Sequence, residues 1–80
     1  MGLAKTEAEL AARAAAFLKA ELKRVGVTYE ELAERLKDHG HPEETVASIK
    51  NKLARGTFPA TFFLATVAAL GMEHVRLDAI

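Results

Sequence analysis

Hydrophobic residues recur every three or four positions along most of this chain, which is the spacing of an α-helix that buries one face. Glycines and prolines divide the pattern into helices predicted over about residues 6–25, 28–38, 42–55 and 59–70. The tail, about residues 72–80, has apolar residues two positions apart at Val75 and Leu77, which fits either a short strand or a frayed end. The pattern predicts an all-α fold: one compact four-helix domain over residues 1–80, with a short C-terminal strand left open.

Capping residues support these helix boundaries. Thr6–Glu9 and Thr28–Glu31 have the spacing of capping boxes, in which a threonine and a glutamate satisfy each other's main-chain amides. Gly26 suits the left-handed position that ends a helix. Pro42 and Pro59 suit the first turn of the third and fourth helices, where a missing amide hydrogen costs nothing.

The third predicted helix carries the most informative polar face of the chain. Val46, Ile49 and Leu53 form its buried stripe, so the polar residues between them are predicted to point away from the core. Side chains of these types hydrogen-bond base edges and phosphates. The candidate DNA-binding residues are Thr45, Ser48, Asn51, Lys52 and Arg55, and the candidate DNA-backbone contacts are Lys23, Arg24 and Lys50. A charged outer face is also the ordinary state of a solvated helix, and that alternative stays open.

The fourth predicted helix is apolar on more than one side, which is typical of a helix that is buried all round. Phe58 and Phe62 are assigned to the core of the domain. A monomer of this size has little chain with which to cover the opposite side, so a second subunit is expected to cover it. The sequence therefore predicts a homodimer with Phe63, Leu64 and Val67 at its interface.

The charge of the chain is balanced in total but not along its length. Eleven basic and eleven acidic residues give a net charge of zero, which argues against indiscriminate binding to a polyanion. The acids are concentrated in residues 28–44, whereas residues 45–72 carry Lys50, Lys52 and Arg55 and no acid at all. A neutral total can hide a local basic patch of this kind.

Targeting and membrane features are not visible in the sequence. There are no cysteines, so neither disulfides nor zinc–thiolate sites are expected. The longest uncharged stretch, Gly56 to Met72, is interrupted by Pro59 and Gly71, and no membrane span is predicted. Because no secretory signal is recognisable either, we expect a cytoplasmic location.

Reactive chemistry is equally hard to find. His39, His41 and His74 lie in connections, with Asp38 and Glu43 nearby, but a zinc site needs three or four fixed ligands. We interpret these histidines as solvated loop residues rather than metal ligands. No nucleophile–base pair, phosphate-binding glycine loop or paired-carboxylate cleft is present, so we expect no enzyme activity, no cofactor and no small-molecule substrate.

The pattern LKRVGVTYEELAERL…SIKNKLARG…LATVAALGM resembles the lambda-repressor-like (Cro/cI-type, or XRE-type) helix-turn-helix domain. The similarity lies in a helix that ends in glycine, a threonine-capped second helix with Leu-Ala, a third helix that ends in Arg-Gly and a closing Ala-Leu-Gly. The positions are Gly26, Thr28, Leu32, Ala33, Arg55, Gly56, Ala69, Leu70 and Gly71. The run LKAELKRVGVTYEELAERL…ARGTFPATFFL is more similar to a small bacterial family of unknown function assigned to that superfamily, over about residues 14–77.

The resemblance implies a small dimeric transcriptional regulator whose third helix enters the major groove of double-stranded DNA. Arg55 and Lys52 would bind phosphates or guanine, and Asn51 and Ser48 would contact base edges. Three features differ from that family. The connection before the third helix is several residues longer, and the second helix begins Thr28-Tyr29-Glu30, where many family members have a glutamine that contacts DNA. Acidic residues also lie near the surface expected to contact DNA. A second hypothesis therefore stays open, in which the same fold is a protein-interaction or assembly module that does not bind DNA.

Overall fold

Four α-helices make up most of the chain in the computed structural model, which describes residues 5–80. Their bounds are α1 (Glu7–Val25), α2 (Tyr29–Leu36), α3 (Val46–Arg55) and α4 (Ala60–Ala69). Single turns of 3-10 helix follow at Lys37–His39 and Leu77–Ala79, and residues 5–80 form no β-strand. The prediction of an all-α, four-helix domain is confirmed.

Capping boxes start three of the helices. Those at Thr6 and Thr28 form as predicted, each with the glutamate three residues on. A third box, not predicted, starts α3: the Thr45 hydroxyl accepts from the Ser48 amide, and the Ser48 hydroxyl accepts from the Thr45 amide. As a result α3 begins at Val46 rather than near residue 42, and Pro42 lies in the connection. Pro59 is the N-cap of α4 and not its first helical residue.

The hydrophobic core lies where the apolar faces of the four helices meet. The residues that are at most 2% exposed include one aromatic ring and five aliphatic side chains: Leu18, Leu32, Leu36, Ile49, Leu53 and Phe62. Helix α4 packs against both α1 and α2, so most of its circumference is covered by its own chain. Its apolar composition is therefore explained largely by burial within one subunit.

This packing corrects the predicted dimer interface. Val67 is 8% exposed and belongs to the core, so it is not available to a second subunit. Phe63 is half-buried and its ring stacks on Phe17, with the centroids 6.2 Å apart. Of the three predicted interface residues, Leu64 alone is open to solvent, at 62% exposure.

The tail turns back towards α1. Its last residues form a turn of 3-10 helix instead of a strand, and the Arg13 guanidinium donates a 2.9 Å hydrogen bond to the Ile80 main-chain oxygen. Within residues 5–80, each helix is too short or too polar to cross a lipid bilayer.

Candidate nucleic-acid interface

Helix α3 is fixed in the domain by its apolar edge. Ile49 and Leu53 are buried, and the helix packs against both α1 and α2. Because side chains on opposite sides of a helix point in opposite directions, the other side of α3 is left to solvent. The exposed residues there are Ala47, Lys50, Asn51, Ala54 and Arg55. The two alanines are short, so a ligand can approach the helix backbone closely between the longer polar side chains.

The C-terminal end of α3 is pressed directly onto α1. Gly56, in the left-handed conformation (φ 74°), ends the helix and is buried. A Cβ atom added to it would lie 2.6 Å from the main-chain oxygen of Ala11. Only glycine permits this close approach. The contact between Gly56 and Ala11 therefore fixes the position of the C-terminal end of α3 on α1.

The structure corrects the expected orientation of Lys52. Its ammonium group turns back towards the core, 3.1 Å from a carboxylate oxygen of Glu44 and 5.4 Å from the centre of the Phe62 ring. The Lys52 side chain is 22% exposed and that of Glu44 is 9% exposed. A carboxylate this well buried needs a counter-charge, and Lys52 supplies it. Lys52 is engaged in the fold and does not belong to the open face of α3.

Ser48 and Thr45 are engaged in the same region. The Ser48 hydroxyl donates a 2.6 Å hydrogen bond to Glu44 and accepts a 2.8 Å bond from the Thr45 amide. The Thr45 hydroxyl accepts from the Ser48 amide. Three of the five predicted DNA-binding residues thus hold the start of α3, and the two that lie on its open face are Asn51 and Arg55.

The Glu44 carboxylate is the centre of this polar cluster. Burial raises its pKa, but the hydrogen bond from Ser48, the hydrogen bond from Lys52 and the Lys52 charge outweigh burial, so the pKa of Glu44 lies below its usual value. His41 adds a ring nitrogen 3.7 Å from Glu44, and the His41 ring meets the Phe62 ring edge-on. The cluster ties the connection between α2 and α3 to both α3 and α4.

The predicted backbone contacts divide in a similar way. Arg24 forms a 2.7 Å ion pair with Glu21 on its own helix. Lys23 and Lys50 are exposed and have no ion-pair partner within residues 5–80. Sequence reasoning did not select Lys19, which lies one turn before Lys23 and lines a groove together with Arg55. Lys19 and Lys23 are four residues apart and therefore lie on the same face of α1, and this spacing could have identified Lys19 as a further candidate.

Candidate metal ligands do not cluster in the described part of the chain. Among residues 5–80, no three histidine, aspartate or glutamate side chains come together in a way that could hold a metal ion. The histidines at positions 39 and 41 instead lie beside Leu64 and the exposed side of α4.

The chain belongs to a family described as "Domain of unknown function (DUF6471)", whose model matches residues 2–75. That description states no activity, ligand or partner. No curated protein and no solved structure was found to match the chain.

Proposed function

From the geometry of α3, we propose that this protein binds double-stranded DNA and acts as a small transcriptional regulator of the helix-turn-helix kind. The observation that carries this proposal is the exposed face of α3. Lys50, Asn51 and Arg55 project from it, and no acidic side chain within residues 5–80 pairs with the two cations.

The chemistry of these three side chains suits a duplex. The Asn51 amide can donate to and accept from an adenine edge, and the Arg55 guanidinium can bind guanine or a phosphate. Lys50 offers a point charge to the phosphate backbone. Ala47 and Ala54 leave room between them, so that the helix backbone can enter the major groove, which is wide enough for an α-helix.

The Glu44 cluster supports the proposal by accounting for the long connection. Residues 37–45 separate α2 from α3, where a helix-turn-helix domain has a tight turn. Glu44 bonds to Ser48 and Lys52, so the end of the connection is fixed to α3. A firmly held third helix is what direct contact with bases requires. We therefore assign Lys52 to the stability of α3 and not to contact with DNA.

The proposal includes two copies on one binding site. Symmetric dimers place two reading helices in successive major grooves about one helical turn apart. Leu64, exposed on α4, is the residue around which we propose that the copies meet. We include in the proposal the cytoplasmic location that the sequence led us to expect.

Two experiments test this function. Bound fragments are first selected from a random duplex pool, and the affinity for the selected sequence is then measured by fluorescence-anisotropy titration. We expect Arg55→Gln to weaken binding by about tenfold or more, since a good base contact is worth roughly 1–3 kcal/mol. Asn51→Ala should relax the preferred sequence at one position. Lys37→Gln, which removes an exposed cation paired with Glu34 on another surface, is the matched control and should bind normally.

Failure of the wild type to bind any duplex at low salt would contradict the proposal. The protein-interaction module, the second hypothesis from the sequence, would then replace it. Lys52 variants are unsuitable for this test because they also break the ion pair with Glu44.

A further inference from the structure

A groove of about 710 Å³ lies between α1 and the C-terminal end of α3. Its floor consists mainly of small apolar side chains: Ala8, Ala11, Ala12, Ala15, Ala16 and Ala54. Lys19 from α1 and Arg55 from α3 line it with cationic groups. Glu7, in the first turn of α1, is the one acid among its lining residues. The groove is thus apolar at its base and mainly basic at its edges.

Most basic side chains on the rest of the described surface are already engaged. The cations that hydrogen-bond or ion-pair within residues 5–80 are Arg13, Arg24, Arg35, Lys37, Lys52 and Arg76. Apart from Lys5, the cations without such a partner there are Lys19, Lys23, Lys50 and Arg55. All four are exposed, and all four lie on α1 or α3. The neutral total charge therefore conceals a concentration, on these two helices, of cations that have no partner within the described part of the fold.

The packing of α1 on α3 places two of these cations, Lys19 and Arg55, beside the same groove. Gly56 lies directly against the main chain of Ala11, and Lys19, Ala54 and Arg55 line the same groove. Lys23 is one turn beyond Lys19 on α1, and Lys50 is one turn before Ala54 on α3, so each lies on the face of its own helix that carries the groove residue.

Building on duplex binding by α3, we propose that α1 is a second part of the DNA surface. Lys19 and Lys23 bind phosphates of the strand that runs along the groove beside α3. The two lysines are about 6 Å apart along the axis of α1, which is more than the roughly 3.4 Å of duplex axis between successive phosphates of one strand, so each lysine binds a different phosphate. The alanine floor lets the sugar–phosphate backbone come close to both helices.

The shape of the groove favours a nucleic-acid backbone over an acidic peptide. Peptide helices that dock in grooves insert large apolar anchors into deep pockets, and such anchors supply most of the binding energy. Here the floor is built of alanines in an open depression, which offers an anchor little depth. Lys19, Lys23, Lys50 and Arg55 have no partner within residues 5–80, so they can form ion pairs with the phosphates of a nucleic acid.

Salt-dependent anisotropy titrations of the selected duplex test the role of α1. The wild type is compared with Lys19→Gln/Lys23→Gln and with Lys37→Gln/Arg76→Gln, a control that removes the same charge from other surfaces. Each phosphate contact contributes about 0.9 to the slope of log affinity against log salt. We expect the first double variant to lose about 1.8 from the slope and to bind more weakly, and the control to keep the wild-type slope. Circular dichroism should show unchanged helix content, because all four side chains are exposed.

The outcomes separate this inference from the proposed function. If the wild type binds duplex and Lys19→Gln/Lys23→Gln keeps its slope, α1 lies outside the DNA surface, although binding by α3 stands. If both double variants lose slope equally, net charge and not position matters, and the inference fails. A wild type that ignores duplex but binds an acidic peptide through Lys19 and Lys23 would overturn both proposals.

Discussion

At the scale of single residues, two glycines with similar backbone angles have different surroundings. Gly26 (φ 81°) and Gly56 (φ 74°) both end a helix in the left-handed conformation. A Cβ at Gly26 would meet nothing within 4 Å, whereas one at Gly56 would overlap the main chain of Ala11. Gly26 is therefore needed only for its left-handed backbone conformation, whereas Gly56 is also needed for the close contact between α1 and α3.

Substitution of these glycines separates the two roles. Gly26→Ala should cost about 1–2 kcal/mol of unfolding free energy, the penalty for a left-handed alanine. Gly56→Ala should cost about 1–3 kcal/mol more, because α1 and α3 must move apart to accept the methyl group. Urea denaturation followed by circular dichroism measures both values. Equal losses for the two variants would show that α3 does not depend on the contact with Ala11.

The candidate site could be predicted in part from individual residues. Helical spacing places Asn51 and Arg55 opposite the buried edge of α3, and the structure has them exposed there. The same spacing placed Lys52 with them, yet Lys52 folds back to Glu44. Its long side chain starts beside the buried edge, and its direction depends on a carboxylate from outside the helix. Periodicity describes a helix surface but contains no information on partners that tertiary folding supplies.

At the scale of elements, the connection between α2 and α3 depends on an ion pair. We predict that Glu44→Gln lowers the unfolding free energy by about 1 kcal/mol at neutral pH, where it leaves the ammonium of Lys52 partly buried without its counter-charge. Glu73→Gln, which removes an exposed carboxylate from the tail, is the matched control and should change stability little.

The pH dependence of the Glu44 contribution has a definite sign. Its pKa is lowered in the folded state, so its stabilising effect is present above the usual value of 4.5 and is lost as the pH falls through the folded-state pKa. The difference in stability between the wild type and Glu44→Gln should therefore shrink between neutral and strongly acidic pH. Urea titrations at several pH values measure it, and a difference that grows on acidification would contradict the assignment.

Helix boundaries were predictable where their capping residues follow a common pattern. Both threonine–glutamate boxes form as the sequence indicates. The start of α3 was misplaced because Pro42 is a familiar first-turn residue, whereas the box at Thr45 uses a serine in place of glutamate. The apolar composition of α4 correctly predicts that this helix is buried, but the sequence analysis expects a second subunit to bury it, whereas α1 and α2 of the same chain do so. Which surface covers an apolar helix depends on how the other helices pack, and local sequence does not specify that.

At the scale of the whole molecule, self-association through α4 is open to a direct test. Leu64 is largely exposed, so Leu64→Lys should leave the fold intact while placing a charge in the proposed dimer interface. We expect light scattering to give a dimer for the wild type and a monomer for this variant. Phe63 is a poor choice because its ring packs on Phe17, and a charge there would disturb the monomer. An unchanged mass for Leu64→Lys would remove α4 from the interface.

The distribution of charge is the property of the whole molecule that bears most on function. The cations without a hydrogen-bond or ion-pair partner within residues 6–80 lie on α1 and α3, while exposed acids without an ion pair there, such as Glu30, Glu43 and Glu73, lie on α2, in the connection before α3 and in the tail. A chain of zero net charge can in this way present one surface to a polyanion and repel it elsewhere.

An NMR titration of the isotopically labelled protein with its selected duplex shows which residues form the DNA surface. If α3 and α1 bind the duplex, the amide shifts that change most should belong to residues 47–55 and to Lys19 and Lys23, whereas those of α2 and of Leu64 on α4 should change little. Shift changes centred on the acidic helix α2, or no change at all on addition of duplex at low salt, would contradict the account.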